Sequence, residues 1–187
     1  MFPASRFWDF TMGVYGRPGV SPACIALQDS LGLDVNLLLF CCWVAASGRG
    51  ALSSQEMRRC RDSSEPWQAH VVGALRGVRR RLKDGVEGVP ADLAADYRKR
   101  VLALEIDGEH VAQVALESVA PEVADSSRPP AQRRRDAAAN LAVYLGLGGA
   151  SPSPVQLDHL GTILAAAFPD ADRAAVGALL GEVFPRG

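Results

Sequence analysis

An all-α fold, a compact multi-helix bundle of about eight helices, is what this sequence predicts, and three observations predict it. Apolar residues recur at three- and four-residue spacings along most of the chain. Capping residues stand where those runs begin, and Gly or Pro stands where they end. The alternation expected of strands is almost absent.

Ser5 caps a first helix through Tyr15, stopped by Gly16-Arg17-Pro18-Gly19. Ser21-Pro22 pairs a cap with proline at the first helical position and opens a second, to Leu31 and Gly32. Asp34 caps a third helix, which ends near Gly48-Arg49-Gly50. From Leu37 to Ala46 it is apolar on every side, so its neighbours must bury it all round. This segment is the expected organiser of the fold. Ser53 and Glu56 have capping-box spacing for a short helix to about Arg61. Ser64-Glu65-Pro66 then begins another, which runs to Lys83 and ends at Asp84-Gly85. Val86 to Pro90 reads as a connection.

From Ala91 a longer helix carries Leu93, Tyr97, Val101, Leu104, Val111 and Ala115 on one stripe. Asp107-Gly108 is also a tight-hairpin signal. The stripe keeps its phase across Gly108, which favours one continuous helix. Pro121, Ser126-Ser127 and Pro129-Pro130 mark residues 121–130 as a linker. It divides a main helical domain, 1–120, from Ala-rich helices in 131–187 that are expected to pack on that domain. Those helices run over 131–145, 154–168 with Ser153 as cap, and 171–183 with Asp170 as cap.

The 187 residues are 48% hydrophobic and 22% charged, an ordinary globular composition. A net charge of −1 gives no global case for nucleic acid or membrane, so any such case rests on a local patch. The longest apolar run, Leu37 to Ala46, is about half of what spans a bilayer. Met1-Phe2-Pro3-Ala4-Ser5-Arg6 lacks the basic and apolar regions of a secretory signal. A cytoplasmic location is the expectation. Cys24, Cys41, Cys42 and Cys60 fall inside predicted helices with no C-x-x-C spacing, and His70, His110 and His159 are scattered. Adjacent Cys41 and Cys42 point about 100° apart on a helix, so they cannot chelate from one face. They read as small buried hydrophobes. No metal site and no cofactor is implied. Glycine-rich phosphate loops, paired helical histidines and the G-x-S-x-G elbow are missing, so no catalytic residue is assigned.

Two regions are candidates for binding. Arg76, Arg79, Arg80 and Lys83 stand at i, i+3, i+4 and i+7, on one helix face beside apolar Val71, Leu75, Val78 and Leu82. Such a face suits an acidic protein surface or a ribonucleoprotein. It equally describes a solvated face whose cations favour the helix C-terminus. No aromatics interleave with these arginines, and no DNA-binding motif is present. Arg133-Arg134-Arg135 spreads around its helix and reads as a solvated start. The second region is a pocket formed by Asp9, Gln28, Asp34 and Asn36 with Trp8 and Trp43. Its structural account makes Asp34 a cap, Asn36 its companion and the tryptophans core filling.

The block Phe7-Trp8-x-Phe10, Tyr15, Gly19-Val20, Ala23-Cys24-x-x-Leu27-Gln28 and Gly32-Leu33-Asp34-Val35-Asn36-Leu37-Leu38-Leu39-Phe40-Cys41-x-Trp43 resembles a known family. That family is a proteobacterial group of conserved hypothetical proteins, classed as a domain of unknown function. The likeness covers roughly the first half of the chain and extends through Trp67 and the Arg76–Lys83 helix beyond Pro90. It implies a small, helical, cytoplasmic bacterial protein and transfers no activity.

The leading functional expectation is a non-enzymatic interaction or adaptor module that uses the basic helix. The alternative is a bundle binding a small hydrophobic ligand or lipid, as an enzyme or otherwise, through a cavity lined by Trp8, Gln28 and Trp43. A third is a homodimer whose Ala-rich tail helices pair between chains.

Overall fold

The fold is organised by a helix with no outward face. In a computed structural model describing residues 3–123, 125 and 127–185, α3 (Val35–Ala46) is buried from Asn36 through Ala45. Met1, Phe2, Ala124, Ser126, Arg186 and Gly187 lie outside the described residues, Ser126 of the expected linker among them. Each leucine or phenylalanine of α3 contributes about 1.5–3 kcal/mol by leaving water. The cover comes from α1 (Arg6–Tyr15), α2 (Val20–Leu31), α6 (Ala91–Ser118), α7 (Pro130–Leu147) and α8 (Pro154–Ala167), with α7 lying along α3 most closely. Phe7 of α1 wedges against Phe40 and Trp43, with ring centroids 5.4 and 5.2 Å away.

Four predicted caps hold, the first three being Ser5, which accepts from the Trp8 N–H, Asp34, which accepts from the Asn36 N–H, and Ser53, which closes a capping box with Glu56. Ser153 closes a second box with Gln156 at the start of α8. Two expected caps are corrected. α2 begins at Val20, because Gly19 takes a left-handed conformation (φ 81°) that turns the chain early. Ser21 is thereby inside the helix, and its hydroxyl donates to Tyr15 Oη at 3.1 Å. α9 (Arg173–Val183) is capped by Asp172, while Asp170 pairs with Arg134 at 2.6 Å.

The expected break between Arg61 and Ser64 does not occur. α4 (Ser54–Trp67), a π turn over Gln68–Val72 and α5 (Gly73–Lys83) form one unbroken rod. Pro66 has no N–H to donate, so the α ladder is already interrupted where the wider turn follows. Counted this way, the described residues make eight helical rods without a strand. α6 runs straight through Asp107-Gly108, as the phase of its stripe requires. Here glycine serves close approach rather than a turn. A Cβ on Gly108 would stand 3.3 Å from Val72 Cγ2, and Trp67 Nε1 donates to the Gly108 carbonyl at 2.9 Å.

α5 and the N-terminal half of α6 pair as an arm, and α5 has no fully buried residue. The covered side of α6 is Ala94, Val101, Glu105, Gly108 and Ala112. Of the apolar stripe expected on this helix, only Val101 is fully buried, while Leu93, Tyr97 and Leu104 face solvent. The stripe lies to one side of the small residues that α5 packs on.

One hydrophobic core joins residues on both sides of the 121–130 segment, from Leu38 and Trp43 to Leu141, Leu145, Leu160 and Leu164. The segment itself is tied down. Asp125 N–H donates to the Gly48 carbonyl at 3.1 Å, and Arg49 Nε to the Pro121 carbonyl at 2.8 Å. No described helix is long and apolar enough to cross a membrane.

Candidate functional site

The two candidate regions meet at the joint between the arm and the body. α5 brings Arg76 and Arg79 inward onto α6, where Glu105 and Glu109 stand one turn apart. Arg76 Nε donates to Glu105 Oε1 at 3.0 Å and Arg76 Nη2 to Glu109 Oε1 at 2.7 Å. Its Nη1 reaches α2 and donates to Gln28 Oε1 at 3.0 Å. Arg79 donates to both carboxylate oxygens of Glu105. One guanidinium thus ties three helices, with the planar fork that such bridging needs.

The other half of the network comes from the start of α3. Asn36 Nδ2 donates to Glu109 Oε2, and Gln113 Nε2 donates to Asn36 Oδ1 at 2.8 Å. Asp34 Oδ1 accepts the Asn36 N–H at 2.8 Å, and the Asp34 N–H donates to Tyr144 Oη at 2.8 Å. Gln113 is 2% exposed and its Oε1 is left unpartnered.

Glu105 and Glu109 therefore share the Arg76 guanidinium, Arg79 adds a second to Glu105, and Asp34 feels the Arg76 charge without bonding it. Burial pushes Asp34 up to about 7, helped by the Glu109 charge and resisted by the Asn36 N–H and Arg76. Burial also raises Glu109, against the Asn36 bond and the Arg76 charge. Glu105 differs. Burial raises it, but the bonds from Arg79 and Arg76 together outweigh that and hold it below the usual carboxylate range.

A raised carboxyl is penalised in the folded state once ionised. For Asp34 the penalty is absent below its unfolded value, near 4, grows through the interval to about 7, and is complete above it. Asp34→Asn keeps a good cap residue and removes the penalty. The expected outcome is a gain of about 1–3 kcal/mol at pH 8 that fades toward pH 4 in urea unfolding. An equal effect at both pH values would refute the assignment.

The remaining candidates are dispersed. Arg80 and Lys83 stay exposed, with Arg80 only 3.9 Å from Asp29. Asp9 is exposed on α1. Trp8 stacks on His110 with centroids 4.3 Å apart, and Trp43 is enclosed by Phe7, Phe40 and the Arg49 guanidinium at 4.4 Å. The rings that touch Trp8 and Trp43 come from α1, α3 and α6, while Gln28 Oε1 is taken by Arg76. The cysteines are buried thiols, with Cys24 and Cys42 pushed up by burial to about 12. Among the described residues no His, Cys, Asp or Glu cluster is arranged to hold a metal ion.

Sequence reasoning missed Glu105 and Glu109, which look like solvated charges on a long helix. A signal did exist. Arg76/Arg79 and Glu105/Glu109 are complementary pairs at helical spacing on two helices joined by a short connection.

The sequence profile of one family, described as a protein of unknown function (DUF2390), matches residues 6–116. No curated protein and no solved structure matches the chain. The matched span holds Gln28, Asp34, Asn36, Arg76, Arg79, Glu105, Glu109 and Gln113, so the whole joint except Tyr144 is built inside it. The chain belongs to the DUF2390 family.

Proposed function

We propose that this protein is a non-enzymatic interaction module that presents its α5/α6 arm to a macromolecular partner. The observation that carries the reading is the arm's surface. Arg80, Arg81 and Lys83 point outward near its tip, while Val78, Leu93, Tyr97 and Leu104 leave large apolar area in water. Arg76 and Arg79 have a supporting part, since they hold the arm to the body and are not spare charges. The outward cations suit an acidic protein surface. The packing of Phe7, Phe40 and Arg49 around Trp43 favours this reading over an internal ligand.

The test is native mass spectrometry of protein purified gently at low salt from its source cells. A macromolecule should co-purify and be lost from Arg80→Glu/Lys83→Glu, whose exposed positions leave thermal unfolding unchanged. A retained small mass in place of a macromolecule, or a partner held equally by the variant, overturns the reading.

A further inference from the structure

We propose that the exposed stripe of α6 is a two-fold contact between two copies of this chain, with the two α6 helices antiparallel. The inference rests on the reading of the arm as an interaction surface and names the occupant of one side of it.

Leu93, Tyr97 and Leu104 are 60%, 55% and 55% exposed on one side of a straight helix. Arg100 completes the row, with its guanidinium 5.9 Å from the Tyr97 ring centroid. The spacing Leu93–Tyr97–Arg100–Leu104 is four, three, four, and it reads the same in both directions. A two-fold axis between Arg98 and Lys99 therefore sets Leu93 against the second copy's Leu104 and Tyr97 against the second copy's Arg100. Four- and three-residue steps are the spacing by which packed helices interlock side chains.

The chemistry matches as well as the spacing. Leucine meets leucine at both ends, and a guanidinium meets an aromatic face twice at the centre, a favourable pairing. Asp96 and Lys99, which bond to each other at 3.1 Å along the flank, come within one helical turn of the second copy's Lys99 and Asp96. Asp96 of each copy thus stands near the cationic Arg98-Lys99-Arg100 run of the other, where the two Arg100 side chains also approach. An in-register parallel pairing sets Tyr97 against Tyr97 and Arg100 against Arg100, and an antiparallel shift by one turn sets Arg100 or Tyr97 against leucine.

The experiment is sedimentation equilibrium on the full chain from low to high micromolar concentration. The expected mass is twice that of the monomer, and it falls to the monomer mass in Leu104→Glu with the helical circular dichroism unchanged. Position 104 is exposed and glutamate is a good helix former, so the variant folds. Because all four native cysteines are buried, a single introduced thiol reports cleanly. Arg100→Cys should cross-link to itself with a short bismaleimide, and Ile106→Cys, on the opposite side of α6, should not. A monomer across the whole range, or a dimer that Leu104→Glu leaves intact, overturns the proposal. Those outcomes do not touch the tip cations, whose partner is read separately through Arg80→Glu/Lys83→Glu. Loss of that partner with no dimer would leave the arm reading standing and remove only the second copy.

Discussion

Replacing Asn140 with Ala is expected to cost about 3–5 kcal/mol, the largest effect of any polar-to-alanine substitution in this protein. Asn140 is 0% exposed, and its amide is used from both ends. Oδ1 accepts the Leu52 N–H at 2.6 Å, while Nδ2 donates to the carbonyls of Cys41 and Gly50 at 3.2 and 3.3 Å. One side chain on α7 thereby bonds the loop that leaves α3 at two points and the middle of α3 at a third. Alanine would strand the Leu52 N–H in a dry interior, and the Gly50 carbonyl would lose this partner too. Each buried group left unpaired costs about 1–3 kcal/mol. For a chain of this length the loss corresponds to a melting point lower by about 10 °C. Asn140→Asp, which sets a buried carboxylate oxygen against the Cys41 and Gly50 carbonyls, should cost at least as much at neutral pH. A melting point for Asn140→Ala within about 2 °C of wild type would refute this account.

Glu105→Ala is expected to have the second largest effect, and a more local one. Glu105 is nearly buried and holds two guanidiniums that are each about a fifth exposed. Removing it leaves Arg76 with Glu109 and Gln28, and Arg79 without a carboxylate partner among the bonds described. A fully buried pair broken this way costs about 3–5 kcal/mol, and partial exposure of the arginines brings the expectation nearer 2–3. Hydrogen exchange should localise the change. Amides of α5 should exchange faster, while those of α3 keep their protection. Uniform loss of protection over the whole chain would show that the arm is not a separate unit. The pH dependence has the opposite sign to that of Asp34. The Glu105 carboxyl is held below its ordinary value, so its contribution is complete above that value and is lost as pH falls through the lower folded one. Acid should loosen the arm before it melts the body.

Much of the architecture was legible because it rests on one-dimensional signals. The apolar run of α3 has no polar side, so burial by several neighbours follows from the residues alone. Ser5, Asp34 and Ser53 each carry their capping oxygen at the start of a helix, and each is used. The misread rod has a physical reason. Proline normally opens a helix, and nothing local announces that Pro66 will be absorbed ahead of a π turn.

The site was harder, because its components look different when read separately. Arg76 and Arg79 look like solvated cations, Gln28 like a half-exposed amide, and Asn36 like part of a cap. Their meaning is set by α6 folding back on α5, a relation that no single helix contains. Asn140 sat unnoticed in an Ala-rich helix for a similar reason. Among alanines a buried Asn and a solvent-facing Asn are spelled alike. The stripe of Leu93, Tyr97 and Leu104 was legible as a periodicity, but a period does not say which side another helix covers.

The π turn at Gln68–Val72 is in effect an insertion that the helix has swallowed. A turn bonded five residues back accommodates about one more residue than an α turn, so the chain on either side keeps its α phase. Wound as plain α-helix, this sequence would rotate everything beyond the turn by about 100°, placing Leu75 and Val78 against Glu105 and Glu109. Conversely, a chain shorter by one residue in the turn, lacking Ala69 for instance, needs no π turn to bring Arg76 and Arg79 to the same carboxylates. Chain length at this point can therefore vary by one between relatives while the joint stays as it is, and an alignment gap over Gln68–Val72 carries no functional message.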